Sequence, residues 1–387
     1  MKKRIRLGIL FGGRSGEHEI SLLSAASVLQ ALDPAKYEVI PIGITREGQW
    51  RVGSTPRELA RQPERLLHSV LGEGRPVTAS ADPRGPWLLP AVRAASGARR
   101  IGAKLDVVFP LLHGTFGEDG TVQGLLELAG VAYVGAGVLA SAAGMDKDAM
   151  KRLFRDAGLP VVPWVLVLRR DWEQQRAGWR RRIGRKIGYP LFVKPANLGS
   201  SVGISKVHGP RELAGAIDLA ARYDHKVVVE AGVDAREIEC SVLGNDRPIA
   251  SVPGEVIPVN EFYDYEAKYL KEGSELVIPA RLPGRQSREV QRLALRAFAA
   301  IDGAGMARVD FLLDRATGKL FANEINTIPG FTPISMYPKL WAASGIPYPE
   351  LVDRLVALAL ERHAERQRSS FGYPRRDRQE SPGSGVG

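Results

Sequence analysis

Short apolar runs and helically spaced segments alternate through the first third of the chain. Strands are predicted at Ile5–Phe11, Tyr37–Ile44 and Leu105–Leu112, and helices at Ile20–Leu32 and Gly120–Leu128. Strands that alternate with helices are typical of parallel sheets, so this part is predicted to be a parallel α/β domain. The interval Ser54–Arg100, which is rich in Pro, Gly, Arg and Ala, is interpreted as an elaboration of that domain.

The pattern changes after a helix predicted over Lys147–Ala157, which Asp146 caps and which Gly158 and Pro160 end. A different pattern begins at Val161–Leu168, and strands predicted at Pro190–Lys194, Gly203–Val207 and Lys226–Glu230 surround one helix near Arg211–Tyr223. A helix over Ser287–Ile301, a hairpin over Ala307–Ile325 and a helix over Tyr348–Arg366 follow. This order indicates α+β modules rather than a doubly wound sheet.

These patterns divide the chain into four parts. An N-terminal α/β domain is predicted over residues 1–135, a central α+β domain over 136–230 and a C-terminal α+β domain over 231–366. Residues 367–387 are predicted to be a disordered basic tail, because their composition cannot bury a core.

Composition and charge exclude several classes of protein. With 44% hydrophobic and 25% charged residues the chain is globular, and its single cysteine, Cys240, excludes an intramolecular disulfide and a multi-cysteine metal site. Of the net charge of +11, Arg169–Lys186 supplies +6 and the segment from Arg362 onward supplies +3. A basic run is usually solvated, and no zinc-finger or RNP motif accompanies this one. A nucleic-acid-binding protein is therefore the less favoured alternative.

The sequence contains no recognisable targeting or membrane-spanning segment. The apolar run that follows MKKR is too short for a signal peptide and ends in glycines. Nothing approaches the ~18 consecutive apolar residues of a membrane-spanning helix. We expect a cytoplasmic protein.

Two lysines and a loop of small residues indicate a phosphate site. Lys147 opens a helix, where its ammonium adds to the positive end of the helix dipole. Lys194 ends an apolar strand just before the loop Asn197–Gly203, whose amides and hydroxyls can surround phosphate oxygens. The G-x-G-x-x-A match at Gly135 is discounted as a dinucleotide site, because a helix follows where a strand ending in an acid is required. The chain has no P-loop motif.

A predicted hairpin carries candidate metal ligands. Counting back from a turn near Ala316–Gly318 places Asp310 across from Glu324, with Asn326 on the same face. Three oxygen ligands without His or Cys suit magnesium or manganese rather than zinc. The sequence therefore predicts a divalent-cation site beside a nucleotide.

Seven motifs resemble one family, in its order, over the chain to about residue 362. They are GGRSGEHEIS, HGTFGEDGTVQG, MDKDAMK, VKPANLGSSVGISKV, YDYEAKY, RVDFLL and NEINTIPGFTPISMYP. Together they resemble the D-alanine–D-alanine ligase family of the ATP-grasp superfamily. The resemblance implies an N-terminal substrate-binding domain and two α+β ATP-grasp domains that sandwich ATP. It also implies a ligase that makes a peptidoglycan precursor. The Ser54–Arg100 interval, Pro333 and the tail depart from the family pattern.

The resemblance also implies which residues bind ATP and its ions. Those expected to contact the nucleotide are Lys147, Lys194, Ser200, Ser201, Val202, Glu230, Ala231, Val233, Glu237, Lys268, Asn323 and Glu324. Within this set the lysines serve the phosphates, the backbone of 230–233 serves the adenine, and Glu237 serves the ribose. Asp310, Glu324 and Asn326 would hold two Mg²⁺ or Mn²⁺ ions, which offset the repulsion between two anions during phosphoryl transfer.

For the substrate, the resemblance implies that Glu17 and His113 hold the first D-alanine. Arg308 and the backbone N–H of Gly330 would form an oxyanion hole, and Ser335 would bind the carboxylate of the second D-alanine. A lid over residues 259–272 would exclude water from an acylphosphate intermediate. In that lid Tyr269 would link to Glu17 through Ser200, and Lys268 would lie near the γ-phosphate.

Two related ligase functions are alternatives to the joining of two D-alanine molecules. The second substrate could be D-lactate or D-serine, although the intact EAKY segment resembles the lid that selects D-alanine. A biotin-dependent carboxylase of the same superfamily would need a bicarbonate and biotin site, for which no motif is seen. The family expectation is a homodimer.

Overall fold

The structure, a computed structural model, describes residues 3–53, 62–91, 105–199, 201–258 and 275–370. Its first sheet has six strands in the order β5-β4-β3-β2-β1-β6. Their bounds are β1 Ile5–Gly12, β2 Tyr37–Ile44, β3 Trp50–Val52, β4 Arg75–Ala79, β5 Leu88–Pro90 and β6 Val107–Pro110. The helices that accompany this sheet are α1 His18–Ala31, α2 Pro63–Glu73 and α3 Thr121–Leu128. Helix α4 Val138–Met145 follows, and its Ala140 and Ala143 belong to the core of the third sheet described below.

This first sheet is mixed rather than parallel throughout. The three strands predicted from apolar runs, β1, β2 and β6, do pair in parallel. Strands β3, β4 and β5 extend the sheet in antiparallel fashion beyond β2. The described part of the Ser54–Arg100 interval therefore elaborates the first domain, as predicted, and it changes the sheet to a mixed one.

The second sheet is antiparallel, in the order β7-β10-β8-β9. The elements around it are α5 Lys147–Asp156, β7 Trp164–Leu168, α6 Arg169–Lys186, β8 Leu191–Pro195, β9 Ser205–Val207, α7 Leu213–Tyr223 and β10 Lys226–Ala231. The one helix predicted among β8, β9 and β10 is confirmed as α7, whereas α6, which the basic run forms, was not predicted. Trp172 and Ile183 of α6 are buried, while most of its arginines are exposed, as a solvated basic run requires.

The third sheet is antiparallel along β14-β13-β11-β15-β16, with a short strand β12 beside β11. Its strands are β11 Ala235–Gly244, β12 Ile249–Ala250, β13 Gly254–Ile257, β14 Glu275–Val277, β15 Gly305–Asp314 and β16 Leu320–Asn326. Three helices accompany it: α8 Gly284–Ala300, α9 Met336–Ala343 and α10 Tyr348–Gln367. Helix α9 was not predicted. The predicted tail lies almost entirely in residues 371–387, outside the described residues.

One hydrophobic core joins the two ends of the chain. Leu7, Ile9 and Phe109 of the first sheet share a buried cluster with Leu351 and Leu355 of α10. Polar contacts also hold the last helix against the segment that contains Tyr133. The guanidinium of Arg362 lies over the Tyr133 ring at 4.4 Å and donates to the Tyr133 carbonyl at 3.1 Å. The same cluster includes Leu243 and Met306 of the third sheet, so the last helix contacts both the first sheet and the third. Within the described residues, no helix is both long and apolar enough to cross a membrane.

Candidate active site

Helix α5 begins beside the predicted phosphate loop. Asp146 caps it, as predicted, by accepting from the backbone N–H groups of Asp148 at 3.1 Å and Ala149 at 3.0 Å. Lys147 follows as the first helical residue, and its Nζ donates to the carbonyl of Leu198 at 2.7 Å. The N-terminus of α5 and the loop are therefore held together, as a shared phosphate site requires.

The loop of small residues is anchored at its base and shaped by unusual backbone angles. The side-chain amide of Asn197 donates to Asp224 at 3.0 Å and to Asp146 at 3.2 Å. Ser201 has a φ of +60°, a conformation that side chains rarely adopt. Val202 lines a cavity beside Glu17. Ser200 lies outside the described residues, so its place in the loop stays a prediction.

Lys194 belongs to a buried charge cluster that the sequence interpretation missed. Its Nζ forms an ion pair with one carboxylate oxygen of Glu230, and Lys151 Nζ lies 2.9 Å from the other. Burial alone would raise the pKa of Glu230, but the two lysines lower it to about 2. Glu230 was predicted to act through its backbone. Its side chain, in addition, forms ion pairs with both lysines. We name Lys151, Lys194 and Glu230 the lysine cluster.

The hairpin of β15 and β16 pairs as predicted, with Asp310 directly across from Glu324. On the other side of Asp310, strand β11 places Glu239 in the same register. Side chains at such positions share one face of a sheet, so three carboxylates lie in a row across three strands. We name Glu239, Asp310 and Glu324 the carboxylate row. Asn323 is the extra residue of a β-bulge in β16, next to Glu324.

Arg308 lies two residues before Asp310 and binds to the row. Its Nε and one terminal nitrogen each donate to Asp310 at 2.7 Å, and Nε lies 3.0 Å from Glu239. Burial and the charges of Glu239 and Glu324 raise the pKa of Asp310 despite this pairing. The predicted oxyanion-hole residue therefore meets the predicted metal ligands in one cluster.

The donor set of the row fits a hard divalent cation. Carboxylates and the amide oxygen of Asn326 are the ligands that Mg²⁺ and Mn²⁺ prefer. Burial and the neighbouring carboxylates raise the pKa of Asp310, and a bound cation would offset both effects. Asn326 points its amide nitrogen at Asp310, with a donor–acceptor distance of 3.2 Å. In the part of the chain that the structure describes, no three His, Cys, Asp or Glu side chains already converge as metal ligands. Binding would require Arg308 and Asn326 to turn.

Glu17 faces two glycine loops from different domains. It stands at the N-terminus of α1, and its Oε2 lies 2.4 Å from the point where a Cβ on Gly114 would be. The corresponding distance for Gly199, in the loop of the second sheet, is 3.4 Å. A cavity of about 280 Å³ opens here, lined by Ser15, Gly16, Glu17, Gly114, Thr115, Leu198, Gly199 and Val202. The cavity has room for a small amino acid, with the Glu17 carboxylate at its wall.

His113 connects this cavity to the loop after β16. Its Nε2 is 2.9 Å from the hydroxyl of Ser24, and its Nδ1 is 3.2 Å from the carbonyl of Ile328. Burial alone would lower the pKa of His113, but the Glu118 carboxylate, 3.7 Å from Nδ1, and the charge of Glu17 raise it. Glu118 was not singled out from the sequence. It lies in the motif that contains His113, which was the available signal.

Gly330 and Ser335 lie together in the loop before α9. The Ser335 hydroxyl accepts from the backbone N–H of Thr332 at 3.0 Å, and it would lie 2.6 Å from a Cβ on Gly330. Only glycine leaves this approach open. The loop is tied to the first domain, because the Phe331 N–H donates to Ser24 at 3.4 Å. Ser24 thus links His113 to the loop that contains Gly330.

The remaining predicted ATP residues border the lysine cluster. Ala231 ends β10, and its N–H donates to the Pro163 carbonyl at 2.9 Å. Val233 lies in the connection to β11. Glu237 lies within β11, and its charge acts on Lys194. Lys268 and Tyr269 lie outside the described residues, and the predicted lid stays a prediction.

Comparison with known proteins gives one family over nearly the whole chain. Residues 6–136 match the model of the D-ala D-ala ligase N-terminus, and residues 153–357 match that of its C-terminus. A D-alanine–D-alanine ligase of Heliobacterium modesticaldum is 51% identical over 364 residues, which cover 94% of this chain and 97% of that protein. This chain belongs to the D-alanine–D-alanine ligase family.

Solved structures agree with this assignment. The D-alanine-D-alanine ligase from Coxiella burnetii superposes with a TM-score of 0.81 at 40% identity, over 94% of this chain and 96% of that one. The VanG D-Ala:D-Ser ligase from Enterococcus faecalis also gives 0.81, at 35% identity over 92% and 100%. The chain therefore has the ATP-grasp fold of these family members.

Proposed function

We propose that the protein joins two D-alanine molecules with the consumption of ATP, giving D-alanyl-D-alanine, ADP and phosphate for peptidoglycan precursor synthesis. The observation that carries the proposal is the meeting of the two charged clusters. The negative charge of Glu324, in the carboxylate row, acts on both Lys151 and Lys194, in the lysine cluster. A site with lysines on one side and carboxylates on the other suits a metal–triphosphate, because the lysines can bind the phosphates and the carboxylates can bind the metal ions.

The first step takes place between this cleft and the cavity at Glu17. Glu17 and His113 hold the ammonium of the first D-alanine, so that its carboxylate points to the γ-phosphate. That carboxylate attacks phosphorus, the bond to the β-phosphate oxygen breaks, and D-alanyl phosphate and ADP result. Lys147 and Lys194 orient the phosphates. When bound at Asp310, Glu324 and Asn326, divalent ions would neutralise phosphate charge.

The second step forms the peptide bond. The amine of a second D-alanine attacks the acyl carbon, phosphate leaves, and the amine loses a proton. The Gly330 N–H and Arg308 stabilise the oxyanion of the tetrahedral intermediate, and Ser335 holds the incoming carboxylate. Arg308 can serve once its bonds to Asp310 loosen. Lys268, Tyr269 and Ser200 close the site against water, which would hydrolyse the acylphosphate.

Ligation to D-serine is the second candidate, because a D-Ala:D-Ser ligase is among the structural neighbours. The test is phosphate release with ATP and Mg²⁺, using D-alanine alone and then D-alanine with equal D-serine or D-lactate, with products identified by mass spectrometry. We expect D-alanyl-D-alanine as the main product and one ADP per peptide bond. Predominant mixed product would replace this proposal with the second candidate. Absence of D-alanine-dependent phosphate release would overturn both.

The resemblance supplies the rest of the proposal: a cytoplasmic homodimer. Sedimentation velocity at micromolar concentration tests the dimer, and a single species of 42.1 kDa would contradict it.

A further inference from the structure

Lys151 is a deeply buried charged group that the proposed reaction does not use. It lies one helical turn after Lys147 on α5, and its side chain is 1% exposed. Burying an ammonium is costly unless a partner compensates its charge. The compensating partner is Glu230, which is itself 2% exposed and is shared with Lys194.

The two lysines of the cluster differ in their access to the cleft. Lys194 lies on β8, one strand from Glu230 on β10, and its side chain is 13% exposed. Lys151 approaches the same carboxylate from the helix side and is enclosed. Only Lys194 can therefore turn outward to an anion, while Lys151 stays with Glu230.

We propose that Lys151 is a positioning residue for nucleotide binding: it holds the charge of Glu230, so that Lys194 is released to the phosphates of ATP. This inference rests on the proposed ATP site. If Lys151 is replaced by an uncharged side chain, Lys194 becomes the sole ammonium of the cluster on a buried carboxylate. The state in which Lys194 is available then becomes rarer, and the apparent nucleotide affinity falls by the same factor.

A simply structural ion pair would behave differently. If Lys151 only stabilised the fold, its replacement would lower the unfolding temperature and neutralising Glu230 would restore part of it, but the Kd of the folded protein for ADP would not change. Under the present inference, neutralising Glu230 removes the charge that captures Lys194. The double variant Lys151→Met/Glu230→Gln should therefore bind nucleotide better than the single variant Lys151→Met.

The test is calorimetric titration of the full chain with ADP and Mg²⁺, without D-alanine. We expect the Kd for ADP to rise about tenfold in Lys151→Met and to return to within about threefold of wild type in the double variant. Lys151→Arg, which keeps the charge, should lie closer to wild type than Lys151→Met. The matched control is Arg152→Met on the same helix, since Arg152 pairs with Asp148 at 2.9 Å, away from the cluster. Its Kd should not change.

Two results would overturn the inference: an unchanged Kd in Lys151→Met, or a double variant no better than the single one. If Lys151→Met does not fold by circular dichroism, the double variant and Lys151→Arg decide. Affinity near wild type in both would support the inference, and tenfold weaker binding in both would refute it. Failure of wild type to bind ADP would instead refute the proposed function.

Discussion

The lysine cluster and the carboxylate row are both buried, and the charge of Glu324 acts on both lysines, but the two regions carry charges of opposite sign. In the cluster two ammonium groups share the carboxylate of Glu230. In the row, among the described residues, three carboxylates lie around the guanidinium of Arg308. Because burying charge is costly, lysines kept at a site suit an anion and carboxylates kept at a site suit a cation. The comparison teaches that the sign of the buried charge in each region indicates the kind of ligand that the region suits.

The two regions also differ in how they are built. The cluster draws one residue each from α5, β8 and β10, whereas the row lies in register across β11, β15 and β16. The row contains the predicted ligands of the divalent ions, whereas the cluster contains a predicted phosphate ligand. We therefore expect charge changes in the row to act on turnover and on the Mg²⁺ requirement, and those in the cluster to act on nucleotide binding.

The largest effect is expected for Glu324→Gln. This change removes a carboxylate that acts on both regions, so turnover should fall at least about a hundredfold, which corresponds to about 2.7 kcal/mol in the barrier. The measurement is D-alanine-dependent phosphate release at saturating Mg²⁺, with thermal unfolding as a check of the fold. Asp314→Asn, at the exposed turn of the same hairpin, is the control and should stay near wild type. Turnover near wild type in a folded Glu324→Gln protein would remove Glu324 from the site.

An intermediate effect is expected for Glu239→Gln. The shape is kept, but the row loses one of its charges and Arg308 loses the ion pair at 3.0 Å. A less negative row attracts a divalent ion less strongly, so the Mg²⁺ concentration for half-maximal turnover should rise about three- to tenfold, or about 0.7–1.4 kcal/mol. Mg²⁺ titrations of phosphate release at fixed ATP measure this. An unchanged Mg²⁺ requirement would show that Glu239 does not act with Asp310 and Glu324.

The smallest effect is expected for removal of residues 371–387. Neither charged region draws a residue from this segment, so kcat and the KM for D-alanine should change by less than about twofold, or roughly 0.4 kcal/mol. Steady-state kinetics of the truncated and full chains test this. A tenfold loss would mean that the tail takes part in the site, which would break the comparison as drawn.

Both the row and the cluster could be predicted from the sequence only in part, for a physical reason. Asp310 and Glu324 are related by a short turn and a period of two residues, so counting is sufficient to pair them. Glu239 lies on a strand about 70 residues earlier, and only the order of strands brings it beside Asp310. Local pattern cannot supply strand order.

The helices show the same limit. Lys151 follows Lys147 by four residues, so their shared face was visible, but the carboxylate that they approach was not. Helix α6 was missed because only Trp172 and Ile183 of its 18 residues are buried, which leaves a weak apolar stripe. Helix α9 contains Pro338 in its first turn, and in an apolar segment that residue was an ambiguous signal.

The packing of α10 against the first sheet also has a consequence for how the protein is made. Leu7 and Phe109 leave the ribosome long before Leu351 and Leu355, which complete their core. At elongation rates of about 5–20 residues per second, on the order of 10–50 s pass between the synthesis of the first sheet and that of this helix. During that interval an apolar surface of the nascent domain is uncovered. A change in translation speed or chaperone supply should therefore alter the yield of folded protein. That effect should exceed the effect of a substitution that destabilises a single domain by a similar amount.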